Sequence, residues 1–192
     1  GRAVGATGKD ALAIQTGPAG AKSRLTVWED FRCPACKAFE TNYRDTIHDL
    51  ESRGLLNVEY HLVTLIDGNM GGSGSLKGAN AAACAQDAGK FAAYHDLLFQ
   101  NQPEETDDAT ARTPSCWSWP GRWTGWTPPR SAPVWRTART TAGSQVARGL
   151  RGRKFRGTPT VLLDGKDIFA DQADPLTPQK LKAKVEAAAG VP

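Results

Sequence analysis

The 192-residue chain predicts an α/β fold whose sheet is split by a helical insertion, and three observations carry that prediction. Runs rich in β-branched and aromatic residues stand near both ends, an Ala-rich helical pattern lies between them, and amphipathic helices follow the early and the late runs. Residues 11–15 form a short apolar run, and Leu25, Thr26, Val27 and Trp28 form a stronger one beyond the turn-rich segment 16–20. Phe39, Tyr43, Ile47 and Leu50 then recur at spacings of four, four and three. They predict a helix with Pro34 at its first position and Gly54 as its C-terminal cap. Residues 58–65 predict the next strand, and a Gly/Ser loop is expected over 68–74. From 76 to 100 the Ala-rich pattern, with Phe91, Tyr94 and Leu98 on one face, predicts one long helix or two short ones broken at Gly89. Residues 160–163, the turn Asp164-Gly165 and residues 167–169 predict a β-hairpin. Thr177-Pro178 opens a last helix with Leu181, Val185 and Ala188 on one face.

With 40% apolar and 23% charged residues the chain can bury a core, which excludes wholesale disorder and a collagen-like fibre. No run approaches the ~18 apolar residues of a membrane-spanning helix, so the chain is expected to be soluble. It begins with Gly1 rather than Met and is expected to be a processed product or a fragment.

The net charge of +4 is unevenly spread. Residues 109–163 hold nine Arg, one Lys and no acid, a net +10, while the rest of the chain carries −6. Five of the six Trp fall in the same stretch. An Arg/Trp mixture of this kind fits a nucleic-acid-binding module over 112–156. Pro114, Pro120, Pro128, Pro129 and Pro133, however, rule out continuous helix there. The anomalous, irregular stretch over 113–156 is expected to reflect a slipped reading frame. Trp has one codon, and reading it one base earlier gives Leu, Val or Met followed by a residue whose codon begins with G, which restores helical apolar spacing and acidic residues. On that account no nucleic-acid partner is expected.

Cys33-Pro34-Ala35-Cys36 is a C-x-x-C directly after a predicted strand and at the start of a predicted helix. Unpaired N–H groups and the positive end of the helix dipole stabilise an anion there. The Cys33 thiol is therefore expected to ionise well below ~8.5. Cys36, one turn on, is placed to resolve a mixed disulfide. A structural zinc site would need a second Cys or His pair, and there is none. A purely structural disulfide over four residues would close almost no loop and stabilise little. Cys84 and Cys116 stand alone, and His48, His61 and His95 have no ligand spacing, so surface or packing roles are expected for the histidines. Gly157-Thr158-Pro159-Thr160 precedes a late strand, which makes Pro159 a candidate cis-proline.

The stretch from Val27 through the C-x-x-C to Phe39-Glu40, together with Gly157-Thr158-Pro159-Thr160-Val161 and the last helix, resembles the DsbA-like thiol-disulfide oxidoreductases of the thioredoxin superfamily. The similarity is strongest to extracytoplasmic actinobacterial members, and it covers about 1–108 and 155–192. It implies a thioredoxin fold, with 1–65 and 153–192 forming the two parts of that fold and 66–152 the inserted helical domain. By the same resemblance Cys33 is the attacking sulfur, Cys36 the resolving one, and Pro159 the cis-proline opposite them, with Thr158 before it. Glu40 matches an acidic position of the family, an exposed helix charge being the alternative. Either Glu29 or Asp30 supplies the acid near the resolving thiol. Ala35 stands where the most strongly oxidising relatives carry His, which implies a less stabilised thiolate. Cys84 is either free and buried or paired with Cys116. The resemblance further implies disulfide formation in secreted proteins and an extracytoplasmic location. Its partners would be cysteine-containing substrates and a membrane quinone-linked reoxidant of the DsbB or VKOR type, and it implies no cofactor and no metal. A reductase or isomerase of the same fold is the alternative within the class.

Overall fold

A computed structural model describes residues 6–7, 13–87, 89–109 and 157–191. The anomalous segment 113–156, its Arg and Trp residues, Cys116 and the side chain of Cys84 lie outside the described residues.

Strand β3 (Ser23–Glu29) runs parallel to β4 (Leu56–Leu62) along its whole length and antiparallel to β5 (Thr160–Leu163). Two short strands, β1 (Ala6–Thr7) and β2 (Ala13–Thr16), continue the sheet beyond β4, and β6 (Lys166–Asp167) closes the other edge. The mixed sheet therefore has the order β1-β2-β4-β3-β5-β6. Parallel neighbours need a crossover, and helix α1 (Pro34–Ser52) supplies it between β3 and β4.

Alternation along the strands decides what α1 covers. Leu25 and Val27 of β3, Val58 and Tyr60 of β4 and Val161 of β5 share one core with Phe39, Tyr43, Ile47 and Leu50 of α1. Each such side chain contributes roughly 1.5–3 kcal/mol by leaving water. On the opposite face Trp28 stacks on its cross-strand partner His61, with ring centroids 4.5 Å apart. The C-terminal helix α5 (Pro178–Ala189) packs on α1 and sends Leu181 and Val185 into the same core. Thr177 caps it by accepting the Lys180 N–H.

Helix α1 ends in a Schellman arrangement. The Leu55 N–H donates to the Leu50 carbonyl, the Gly54 N–H donates to Glu51, and Gly54 sits at φ 76°, a conformation that favours glycine.

Among the described residues, three further helices lie between β4 and β5: α2 (Leu65–Met70), α3 (Gly74–Asp87) and α4 (Phe91–Gln100). The Ala-rich pattern is thus two helices, and Gly89 at φ 66° stands at the break. The expected loop over 68–74 shrinks to 71–73, because α2 occupies the residues before it. Distant carboxylates explain the difference: Asp30 Oδ2 accepts the Ile66 N–H inside α2, and Asp67 accepts the N–H groups of Ser75 and Leu76 at the start of α3. For the same reason β4 ends at Leu62 rather than 65. Strand β1 has no counterpart among the sequence expectations. Ala188 is exposed, so the last turn of α5 leaves the core, and Tyr94 is only half-buried while His95 takes the inward position beside it.

Candidate active site

Three segments converge at the N-terminus of α1. Asp30 makes a turn in which its Oδ1 accepts the Arg32 N–H and its carbonyl accepts the Cys33 N–H, which hands the chain from β3 to α1. Cys33 is the N-cap residue of α1, and Pro34 fills the first helical position, where a missing N–H costs nothing. Pro34 and Ala35 are exposed, whereas Cys33 is 6% and Cys36 0% exposed. The Thr158–Pro159 peptide is cis, and the Thr158 carbonyl oxygen lies 3.4 Å from Cys33 Sγ. Cys33, Cys36, Thr158 and Pro159 therefore form one cluster, although residues 33 and 158 are 125 positions apart.

The two thiols are driven in opposite directions. A hydrogen bond from the Cys36 thiol is the chief cause that lowers Cys33 from 9.0 to about 6; burial opposes it, and the Thr158 side chain and the N–H groups of Cys36 and Ala35 add to it. Cys36 is pushed far above the ordinary thiol range, first by burial and then by the neighbouring Cys33 and Glu29 charges. At neutral pH the outer sulfur is a thiolate and the inner one a thiol, both free in this structure. That is the division of labour required for nucleophilic attack and later resolution.

Of the two acids that sequence left open, Asp30 is occupied in organising backbone: its Oδ1 and Oδ2 accept from Arg32 and Ile66. Glu29 is the one whose charge acts on Cys36. Glu40 is 4% exposed, which overturns the exposed-charge alternative. It lies one turn after Cys36 on the buried face of α1, and burial holds its carboxyl well above the usual range.

Sequence reasoning missed three residues. His95 takes the packing role that is one of its two expectations, fully buried, but its contact with Glu29, Nε2 2.6 Å from Oε1, is not expected from the sequence. Burial by itself disfavours its charge, but Glu29 and Glu40 outweigh that and hold it well above its ordinary value. Phe91, His95 and Phe99 are spaced by four, so the apolar face of α4 carried the signal. Gln102 donates to the carbonyls of Phe31 and Cys33 and fastens the C-x-x-C loop to the helical insertion. Arg32, also buried, donates to Asp67, to the Gly71 carbonyl and to the Glu105 carbonyl, and pairs with Asp108 at 3.3 Å. Nothing in the local sequence signals either partner set.

Among the described residues, Glu29, Glu40 and His95 place candidate ligand atoms within 4.8 Å of one another. Two ligands of a tetrahedral zinc at about 2.0–2.1 Å stand about 3.3 Å apart. The 2.6 Å between His95 and Glu29 is instead the separation of a shared proton. His48 pairs with Asp96 at 3.7 Å, and His61 is stacked on Trp28 on the far face of the sheet, so neither reaches the cysteines.

Comparison with known proteins agrees with this geometry. The family model described as Thioredoxin matches residues 12–187. The oxidised DsbA of Mycobacterium tuberculosis is 22% identical, with a TM-score of 0.65 and 93% of each chain covered. MdbA, a thiol-disulfide oxidoreductase from Actinomyces oris, is 16% identical, with a TM-score of 0.64 over 92% of this chain and 85% of its own. A periplasmic thioredoxin-like protein from Salmonella enterica serovar Typhimurium is 18% identical, with a TM-score of 0.59 over 97% and 95%. No curated protein sequence matches the chain. The chain belongs to the thioredoxin family and has the fold of the DsbA-like proteins.

Proposed function

We propose that the protein is a disulfide donor that oxidises cysteine pairs in secreted or cell-envelope proteins through a mixed disulfide on Cys33. A substrate thiolate attacks Cys33 Sγ of the Cys33–Cys36 disulfide, the S–S bond breaks, and its electron pair leaves on Cys36 Sγ. A second substrate thiolate then attacks the substrate sulfur of the mixed disulfide, and Cys33 departs as a thiolate. The substrate gains a disulfide and the protein is reduced by two electrons. Thr158 and cis-Pro159 border the sulfur at which the substrate is held.

One observation carries the donor direction: the stabilised Cys33 thiolate is a good leaving group. With Cys33 at about 6, thiolate outnumbers thiol about tenfold at pH 7, which favours the reduced form by that factor and raises the potential of the pair by about 30 mV. Ala35 contributes no cation to that stabilisation. Catalytic turnover needs a reoxidant, for which a membrane quinone-linked protein of the DsbB or VKOR type fits the chemistry. An extracytoplasmic location suits a protein that leaves disulfides in its products, since they persist there. The periplasmic Salmonella protein points the same way.

Equilibration of the Cys33/Cys36 pair with glutathione buffers tests the direction. The donor reading expects a potential clearly less negative than the approximately −270 mV of thioredoxin. A potential at or below that value would assign the protein to the reductases instead.

A further inference from the structure

Three N–H donors converge on the carbonyl of Cys33: the backbone N–H groups of Cys36 and Lys37, each at 3.1 Å, and the side-chain amide of Gln102 at 3.0 Å. We propose that Gln102 is a positioning residue for the exchange reaction, which by occupying that carbonyl leaves the Cys36 N–H to the Cys33 sulfur. This inference rests on the exchange reaction proposed above, and it gives the helical insertion a part in that reaction through the backbone of the C-x-x-C loop.

A carbonyl oxygen has two lone pairs, so three donors cannot all be served in full. The Lys37 N–H makes the first i→i+4 bond of α1, and the helix itself fixes its place. Gln102 approaches from outside the helix and is held there by its own backbone. Its N–H donates to the Phe99 carbonyl at the end of α4, and its carbonyl accepts from Lys37 Nζ at 3.1 Å. Its amide nitrogen also donates to the Phe31 carbonyl at 2.9 Å, so the two amide hydrogens bracket Arg32. The side chain is buried, which keeps water from taking its place. Against those two claims the Cys36 N–H, whose bond to the carbonyl is an i→i+3 contact of the first turn, is the donor most readily shared. That same N–H is among the groups that lower the Cys33 thiol.

The sharing matters in one redox state. In the disulfide the Cys33 sulfur carries no charge, and the Cys36 N–H belongs to the carbonyl. Once Cys33 departs from a mixed disulfide as a thiolate, the charged sulfur draws that N–H, while Gln102 keeps the buried carbonyl satisfied. Gln102 therefore favours the reduced form, and it does so with no charge or titration of its own. The charged groups nearby are engaged elsewhere. Lys37 Nζ is turned to the Gln102 carbonyl, and the Arg32 guanidinium is taken up by Asp67, Asp108 and the Gly71 and Glu105 carbonyls. Glu29 of β3 acts on Cys36.

Ultraviolet titration of the reduced protein, read as the difference from its Cys33→Ser counterpart so that the other thiols drop out, tests the proposal. Gln102→Met keeps the length of the side chain and removes both donors. It is expected to raise the Cys33 thiolate midpoint by about one unit. At pH 8 it should then shift the equilibrium of the Cys33/Cys36 pair with glutathione about tenfold toward the disulfide, or about 30 mV. A merely structural role would lower the urea midpoint and leave the thiolate midpoint and the equilibrium in place, which would overturn the proposal. Should Gln102→Met not fold, nuclear magnetic resonance of the wild-type protein decides. The hydrogen-bond scalar coupling between the Cys36 nitrogen and the Cys33 carbonyl carbon should weaken from the disulfide to the thiolate form, and equal coupling in both would overturn the proposal. A thiolate midpoint that moves as expected, in a protein whose wild-type pair never exchanges with glutathione, would uphold the effect of Gln102 on the sulfur and overturn the exchange reading instead.

Discussion

If the Cys33 thiolate is as favoured as its surroundings require, Cys33 must contribute more to the stability of the reduced protein as pH rises. The folded-state value is about 6, against 9.0 for an ordinary thiol. A depressed folded value contributes stability that is fully present above the unfolded value and is lost as pH falls through the folded one. Worked through, the contribution is below ~0.1 kcal/mol at pH 5, about 1.4 at pH 7 and about 2.7 at pH 8, approaching ~4 above pH 9. The perturbation is Cys33→Ser, which keeps the N-cap position and removes the titration. Urea unfolding of both proteins, held reduced with a phosphine, gives the difference at each pH. Groups other than Cys33 are present in both proteins, so their contributions cancel in the difference. The gap between wild type and variant should therefore widen by about 2–3 kcal/mol between pH 5 and pH 8. A gap that stays flat across that range would refute the reasoning, because it would leave Cys33 with an ordinary thiol.

Three further outcomes follow from the same contacts. Thr158→Val removes the side-chain hydrogen bond to Cys33 and should raise the thiolate titration midpoint, read by ultraviolet absorbance, by up to about one unit; an unchanged midpoint would mean that the Thr158 side chain does not stabilise the thiolate. Ala35→His adds a cation at an exposed position beside the thiolate and should lower that midpoint further and raise the potential, which the same absorbance titration and glutathione equilibration read. Arg32→Met leaves Asp67 without its buried partner and should cost about 3–5 kcal/mol in urea unfolding; a loss below about 1 kcal/mol would mean the arginine does not hold the active-site loop to the insertion.

The parts of this fold that declare themselves in sequence are those whose partners are local. Helix α1 is legible because Pro34 starts it, Gly54 ends it and the apolar face between them is regular. The C-x-x-C is legible because position at a helix start is itself the chemistry. Helix α2 is not, since its first turn is completed by Asp30 from another element, and a Gly-containing sequence reads as a loop without that carboxylate. Glu29, Glu40 and His95 are separated by 11 and 55 residues, and only the packing of β3, α1 and α4 makes them neighbours. Arg32 shows the same limit: a cation beside a cysteine reads as exposed until Asp67 and Asp108 arrive to surround it. His95 was within reach, because the spacing of Phe91 and Phe99 around it marks it as buried, and a buried histidine in an apolar face demands a partner.

The central claim, that the Cys33–Cys36 disulfide is delivered to a substrate through Cys33, meets its most direct test in a single transfer experiment. Oxidised protein is mixed with an equimolar reduced dithiol peptide, acid-quenched over time and weighed intact by mass spectrometry. Wild type should pass its disulfide to the peptide, and the variant Cys36→Ser/Cys84→Ala/Cys116→Ala, which keeps Cys33 as its one cysteine and is charged there beforehand with a small disulfide reagent, should carry the peptide on Cys33. A peptide that stays reduced with wild type, or a peptide adduct at any residue other than Cys33, would contradict the account.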